Sequence, residues 1–590
     1  MPGRKGNAGQ TVRLTGLGVA PGIAIGPAHV VESGVERVAE YRVAASRVPE
    51  EQARFEAALA EALLQLDRLK ARTVRMGGAA GEELGYMLDA HAQMLSGSRL
   101  VRGVLQRITV DNLNAEGAVQ REIEDVARQF LAMSDPYFAA RADDVRDVGR
   151  RLILNLAGRK PVRFATAPVG AIVLAHEITP ADTAAMDPRR IAAFSAEIGG
   201  SDSHTAIMAR SLGLPAVLGV PELVREVQPG ETVIVDGHAG EIIIRPDEAT
   251  LARYRKVRAA DMRRRRALDR LRDLPSETRD GVAIGLQANV EMLAEAEQAR
   301  DAGAGGIGLL RSEFLFLAAD DWPDEETQYQ ALSRIVDAMQ GRPTTIRTLD
   351  IGFDKLPRGL AGDFTAGDNP ALGLRAIRLG LQRPKLLETQ LAAILRAGAH
   401  GPVRILIPMV TTVSEIEAVR AALTRVARRL KRRGLPVPDP LPPLGAMIEV
   451  PGAALAADSL ARASDFISIG TNDLTMYTLA LDRTNEQVAS LYDPLHPGVL
   501  RLMQFSVAAA HRAGIPVNVC GEIAGDPRYA PLLVGLGIRD LSMAVGSLPR
   551  VKQYIRRLDS SEAARTADEI MAQADPARAA ELLDRLVEGG

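Results

Sequence analysis

The sequence predicts a multidomain α/β protein: an α/β domain interrupted by a helical subdomain, followed by a C-terminal (β/α)8 TIM-type barrel. Three observations carry this reading. The chain has 590 residues, too many for one core and enough for about three or four domains. Helical periodicity over residues 49–156 separates two stretches of short strand signals. After residue 282, eight apolar runs alternate with amphipathic segments.

Residues 11–31 alternate apolar side chains with Gly and Pro, the pattern of short strands and turns. Beyond Pro49 the pattern turns helical, with Phe55, Leu59, Leu63, Leu66 and Leu69 spaced by three or four. Strand signals return at 171–174, 192–194 and 232–236. Residues 10–47 and 159–246 are therefore expected to form one α/β domain, with 48–158 inserted as a helical subdomain. Residues 247–276 read as a linker. Their Arg263–Arg266 run has Asp261 and Asp269 as flanking charges, as in a solvated connecting helix.

Residues 277–590 are expected to hold the barrel. Its strands are predicted at Val282–Ala288, Gly306–Leu310, Thr344–Leu349, Val403–Pro408, Leu444–Ile448, Phe466–Ile469, Pro516–Val519 and Asp540–Met543. Ala371–Leu374 is a ninth candidate, assigned to a long loop after the third strand.

Composition narrows the function classes. Hydrophobic residues at 46% and charged residues at 25% describe a globular protein. A net charge of −2 gives no overall pull toward nucleic acid or an anionic membrane. No apolar run approaches the roughly 18 residues of a membrane span. One cysteine, Cys520, excludes an internal disulfide framework. With a polar N-terminus, these features predict a cytoplasmic protein without membrane insertion.

Chemistry in such barrels sits at the C-terminal ends of the strands. Those ends carry Asn289, Arg311, Arg347 with Asp350, Met409, Glu449, Asn472 with Asp473, Cys520 and Ser542. Arg311 and Arg347 can each grip a phosphate or carboxylate with two parallel hydrogen bonds, and Arg483 and Lys355 lie on neighbouring loops. Glu449 and Asp473 are assigned to the ends of the sixth and seventh segments. With no nitrogen or sulfur ligand beside them, they suit a hard cation such as Mg2+. A thiol of ordinary pKa, about 8.5, keeps most of its proton at neutral pH, so Cys520 can supply a proton to carbon.

A second chemical feature lies far from these. Gly199-Gly200-Ser201-Asp202-Ser203 leads into His204 at a predicted helix start. Backbone N–H groups and the positive end of the helix dipole favour a phosphoryl group there. An imidazole with pKa about 6.5 is largely neutral at pH 7 and hence nucleophilic. His91 and His176 lie in segments without such a loop. A nucleophile in one domain and an anion-and-metal site in another suggest a group carried between domains.

With both halves in view, the chain resembles Enzyme I of the bacterial sugar phosphotransferase system, the phosphoenolpyruvate–protein phosphotransferases. The resemblance runs from Ala20-Pro21-Gly22 to Met543. Its most specific blocks are Ser203–Arg210, Gly308–Phe316, Ile346–Gly352, Asn369-Pro370 and Ile469–Thr475. It implies a swivelling phosphohistidine domain in which His204 accepts the phosphoryl group. Arg311, Arg347, Asn472 and Arg483 would hold phosphoenolpyruvate, joined by Asp473 and Lys355. Glu449 and Asp473 would bind Mg2+, and Cys520 would protonate the enolate of pyruvate. The implied partners are the histidine carrier HPr, docked by residues 48–158, and a second copy of the chain, paired through the barrel.

Three positions depart from the family pattern. Asp202 stands where Thr is usual before the Ser-His pair, and is expected to shift the phosphorylation equilibrium of His204. Phe353 replaces a common glycine and Val450 a common threonine. Pyruvate phosphate dikinases and phosphoenolpyruvate synthases share the histidine and barrel but need a nucleotide-binding domain, and no P-loop signature is present. A non-catalytic phosphate sensor would lack ligands at the mouth, where this sequence has the full set.

Overall fold

The computed structural model describes residues 10–589 apart from 32–38, 77–86, 89–90, 97–98, 132–135, 159–166, 180–181, 184–185, 188, 201–203, 318–321, 353–368 and 483–487. The chain divides into two compact units, residues 1–265 and 266–590.

In the first unit the strands are β1 (Val12–Thr15), β2 (Leu17–Ala20), β3 (Ile23–Val31), β4 (Ala171–Ala175), β5 (Ile191–Ala196), β6 (Ala216–Leu218), β7 (Thr232–Asp236) and β8 (Glu241–Ile244). They form one sheet in the order β1-β8-β7-β3-β4-β5-β6-β2. The β3-β4-β5-β6 pairings are parallel and the others antiparallel. Every residue of β4 is buried, because alternate side chains enter cores on opposite faces of the sheet: Ala171, Val173 and Ala175 on one, Ile172 and Leu174 on the other.

Between β3 and β4 the chain builds helices α1 (Val48–Met76), α2 (Arg99–Thr109), α3 (Ala115–Leu131) and α4 (Pro136–Leu156). Phe55 and Leu66 of α1 are fully buried, and Leu59, Leu63 and Leu69 pack against the same core with Val104, Val119 and Leu152. The apolar stripe read from the sequence is thus the inner face of this helix. Helix α5 (His204–Leu212) follows β5, and α6 (Glu248–Asp269) continues through the Arg263–Arg266 run.

The second unit is a closed parallel barrel of β9 (Gly285–Val290), β10 (Ile307–Arg311), β11 (Thr344–Arg347), β12 (Val403–Ile407), β13 (Leu444–Ile448), β14 (Phe466–Ile469), β15 (Val517–Val519) and β16 (Asp540–Ala544). β16 closes on β9 with Asp540 opposite Gly285. A Cβ on Gly285 would lie 2.0 Å from Asp540 Oδ1, so glycine there leaves the Asp540 carboxylate its place beside β9. The ninth candidate forms no strand: Pro370–Leu372 is a single 3-10 turn. Glu449 follows the fifth barrel strand and Asp473 the sixth, in line with the order of the eight predicted segments and one place earlier than the sixth and seventh positions stated for these residues. Among the described residues no helix is long and apolar enough to cross a membrane.

Candidate active site

A cavity of about 880 Å3 opens at the C-terminal ends of the barrel strands. Seven residues singled out at strand ends in the sequence line it together: Arg311, Arg347, Asp350, Glu449, Asn472, Asp473 and Cys520. Lys355 and Arg483, with Phe353 and Asp202, lie outside the described residues.

The barrel register sets the two arginines side by side, since Arg311 on β10 is the partner of Arg347 on β11. Adjacent guanidinium groups repel, and carboxylates interleave them. Arg347 Nη2 donates to Glu313 Oε1 at 2.9 Å, and its Nη1 lies 3.0 Å from Asp350 Oδ2. Asp350 Oδ1 also takes Arg375 Nη2 at 2.8 Å. Burial alone would make Arg347 easier to deprotonate, but Glu313 and Asp350, then Glu449 and Asp473, outweigh it and raise its pKa. Burial pushes the Glu313 carboxyl up, against the pull of Arg347. Arg347 Nε is buried with no hydrogen-bond partner among the described residues, a donor left for a ligand oxygen. Arg311 is held differently, by Glu291 at the open rim.

Deeper in the mouth, Asp350, Glu449 and Asp473 each place an oxygen within 4.8 Å of the others. Burial, then the charges of Asp350 and Asp473, push the Glu449 carboxyl well above the usual carboxylate range. Its Oε1 accepts the N–H of Met409 at 2.6 Å. Met409 adopts φ +56°, a left-handed conformation that side chains rarely take, at the end of β12. Crowded oxygen-only donors that repel when ionised suit a hard divalent cation. Both Asp350 oxygens are engaged by arginines. The oxygen donors of the cluster fit a hard divalent cation.

Cys520 is 3% exposed and rests among Leu309, Leu406, Met447 and Phe466. Ser468 Oγ donates to Cys520 Sγ at 3.2 Å. Asn289 Nδ2 donates to the Cys520 carbonyl at 3.0 Å and its Oδ1 accepts Ser542 Oγ–H at 2.6 Å, tying three strands around the thiol. Burial, against the Ser468 hydrogen bond, pushes the thiol up to about 11. The sequence reading had taken it as an ordinary thiol.

Asn472 and Glu522 exchange two hydrogen bonds, Nδ2 to Oε1 at 2.8 Å and the Glu522 N–H to Oδ1 at 2.9 Å. This depends on Gly521, where a Cβ would lie 1.8 Å from Thr471 Oγ1. Only glycine lets that turn approach the helix Thr471–Leu479 so closely.

In the first unit, α5 begins at His204. Thr205 Oγ1 donates to the Ile178 carbonyl at 2.8 Å, Ala206 and Ala209 are buried in the core of the sheet, and Met208 is buried in the core of the inserted helices, so α5 packs against both. Gly199, at φ +138°, turns the chain after β5. Of the histidines set aside in the sequence, His91 is buried with Nε2 3.5 Å from Asp144 Oδ1, and His176 pairs with Glu197 at 2.5 Å.

The sequence reading gave no role to Arg375, Glu313, Glu291 or Glu522. Arg375 sits beyond the third strand, joined to Gly352 by an isolated bridge. The one signal for it was its place directly after Ala371–Leu374, in the long loop assigned after the third strand.

Two comparisons bear on kinship. Residues 265–560 match the PEP-utilising enzyme PEP-binding domain, 15–141 the PEP-utilising enzyme N-terminal domain, and 167–240 the PEP-utilising enzyme mobile domain. A phosphoenolpyruvate-protein phosphotransferase of Cupriavidus necator is 42% identical over 97% of this chain and 99% of its own. Proteins of the same name from Geobacillus stearothermophilus, 37% identical over 96% of both chains, and Listeria monocytogenes, 36% identical over 97% and 99%, are also similar.

Proposed function

The chain belongs to the phosphoenolpyruvate–protein phosphotransferase family, and we propose that it moves a phosphoryl group from phosphoenolpyruvate to His204 and then to an HPr-type histidine carrier, releasing pyruvate. The carrying observation is the single mouth where Arg311, Arg347, Glu449, Asp473, Asn472 and Cys520 meet. Phosphoenolpyruvate is a small, highly charged anion, and this mouth offers guanidinium donors for its oxygens beside a proton source for its carbon.

Arg311 and Arg347 grip the substrate, with Asn472, Asp473, Arg483 and Lys355 completing the set by family resemblance. Glu449 and Asp473 would hold Mg2+, which when bound would supply positive charge to the substrate oxygens and to the departing enolate. The P–O bond to the enol oxygen breaks as a P–N bond to His204 forms. The methylene carbon of the enolate takes the proton of Cys520, giving pyruvate. The Ser468 hydroxyl donates to the thiolate that remains, which regains a proton from solvent before the next turnover. The carrier's imidazole then takes the phosphoryl group from His204.

We assign residues 10–47 and 159–246 to the phosphohistidine domain, 48–158 to carrier docking, 247–276 to the linker and 277–590 to the barrel. The linker absorbs the change as His204 turns from donor to carrier. The working form is a cytoplasmic homodimer paired through the barrel.

The test is incubation with radiolabelled phosphoenolpyruvate and Mg2+ without nucleotide. The expected result is acid-labile, base-stable label on the chain that passes to added carrier. A requirement for ATP favours a dikinase, and no labelling under any condition favours a sensor.

A further inference from the structure

The two arginines of the mouth are held in different ways. Arg347 is locked between Glu313 and Asp350, whose side chains are 15% and 3% exposed. Among the described residues Arg311 is paired with Glu291 alone, with side chains 41% and 49% exposed. The first arrangement is part of the barrel's packing. The second can exchange with solvent and with ligands.

The pair follows from barrel register. Val290 on β9 is opposite Leu310 on β10, so the next residues, Glu291 and Arg311, emerge together at the rim. The Glu291 N–H donates to Glu295 Oε2 at 2.6 Å, fixing the backbone where β9 gives way to the helix Leu293–Asp301. A carboxylate at this position thus lies on the guanidinium that faces the cavity. Exposed ion pairs contribute little to folding, so the pair's consequence falls on what else Arg311 can bind.

We propose that Glu291 is a built-in competitor for the anion site, occupying Arg311 until the phosphate of the substrate displaces it. The proposal rests on the reading that Arg311 grips that phosphate. Its effect is to raise the substrate concentration at which the mouth fills, equally for every anion that uses Arg311, without touching the bond-breaking steps.

The experiment compares wild type with Glu291→Gln in steady-state transfer from phosphoenolpyruvate to carrier. KM is expected to fall about two- to fivefold, the range for an exposed ion pair, with the change carried by KM rather than kcat. Inorganic phosphate, used as a competitive inhibitor, gains by the same factor. Both gains shrink at roughly 0.5 M salt, where the Debye length is only a few ångströms. An unchanged or raised KM in Glu291→Gln overturns the proposal, since a purely structural pair gives that result. Arg311→Ala separates the two readings. If it leaves KM unaltered, Arg311 does not hold the substrate and the underlying reading fails. If it raises KM while Glu291→Gln does nothing, only the competitor is refuted.

Discussion

Carrying pyruvate formation from pH 7 to 10.5 tests the thiol. An ordinary cysteine of pKa about 8.5 is mostly thiolate at pH 9, whereas Cys520, pushed to about 11, is about 1% thiolate there. The cause is burial among Leu309, Met447 and Phe466, only partly offset by the Ser468 hydroxyl. In a rapid-quench single turnover, proton delivery to the enolate is expected to stay flat to about pH 10. Cys520→Ala should form pyruvate roughly 10²–10⁴-fold more slowly. The same burial couples to stability. The neutral thiol is favoured in the folded chain, so its contribution is complete below pH 9 and is lost as pH rises toward 11. The gap from 9.0 to about 11 corresponds to about 2–3 kcal/mol. An alkaline limb near pH 9, or Cys520→Ala turning over within twofold of wild type, refutes the reasoning.

Asp350→Asn removes the carboxylate shared by Arg347 and Arg375, which should destabilise the barrel by about 1–3 kcal/mol in urea titration. Losing a buried ion-pair partner costs about 3–5 kcal/mol, and relief of repulsion from Glu449 and Asp473 offsets part of it. Arg375→Lys keeps the charge but loses the two-pronged contact with Asp350, and kcat/KM should drop about ten- to hundredfold with folding unchanged by circular dichroism. Glu449→Gln should raise the Mg2+ concentration for half-maximal labelling at least about tenfold, measured against chelator-treated protein; unchanged Mg2+ dependence would remove Glu449 from the metal site.

The barrel was legible because its strands are short apolar runs bounded by glycine, proline and charge, each ending in a residue that chemistry can use. Arg311 and Arg347 could be picked out singly from those ends. Their carboxylate partners could not, because pairing is set by register: Glu291 meets Arg311 only once Val290 is opposite Leu310. Arg375 was hidden directly after an apolar run assigned to a loop, and beside Ala376, whose φ of +53° no local pattern announces. Glu522 meets Asn472 across 50 residues only because Gly521 leaves room for the approach. The thiol's raised pKa depends on burial by residues from several strands, which a reference value for cysteine does not contain.

The most direct test is to quench a single turnover of full-length wild-type chain with radiolabelled phosphoenolpyruvate and Mg2+, and to repeat it with His204→Ala. The account predicts one pyruvate released for each phosphoryl group found on His204, and neither label nor pyruvate burst from the variant. Label on another residue, or an undiminished burst of pyruvate without His204, contradicts it.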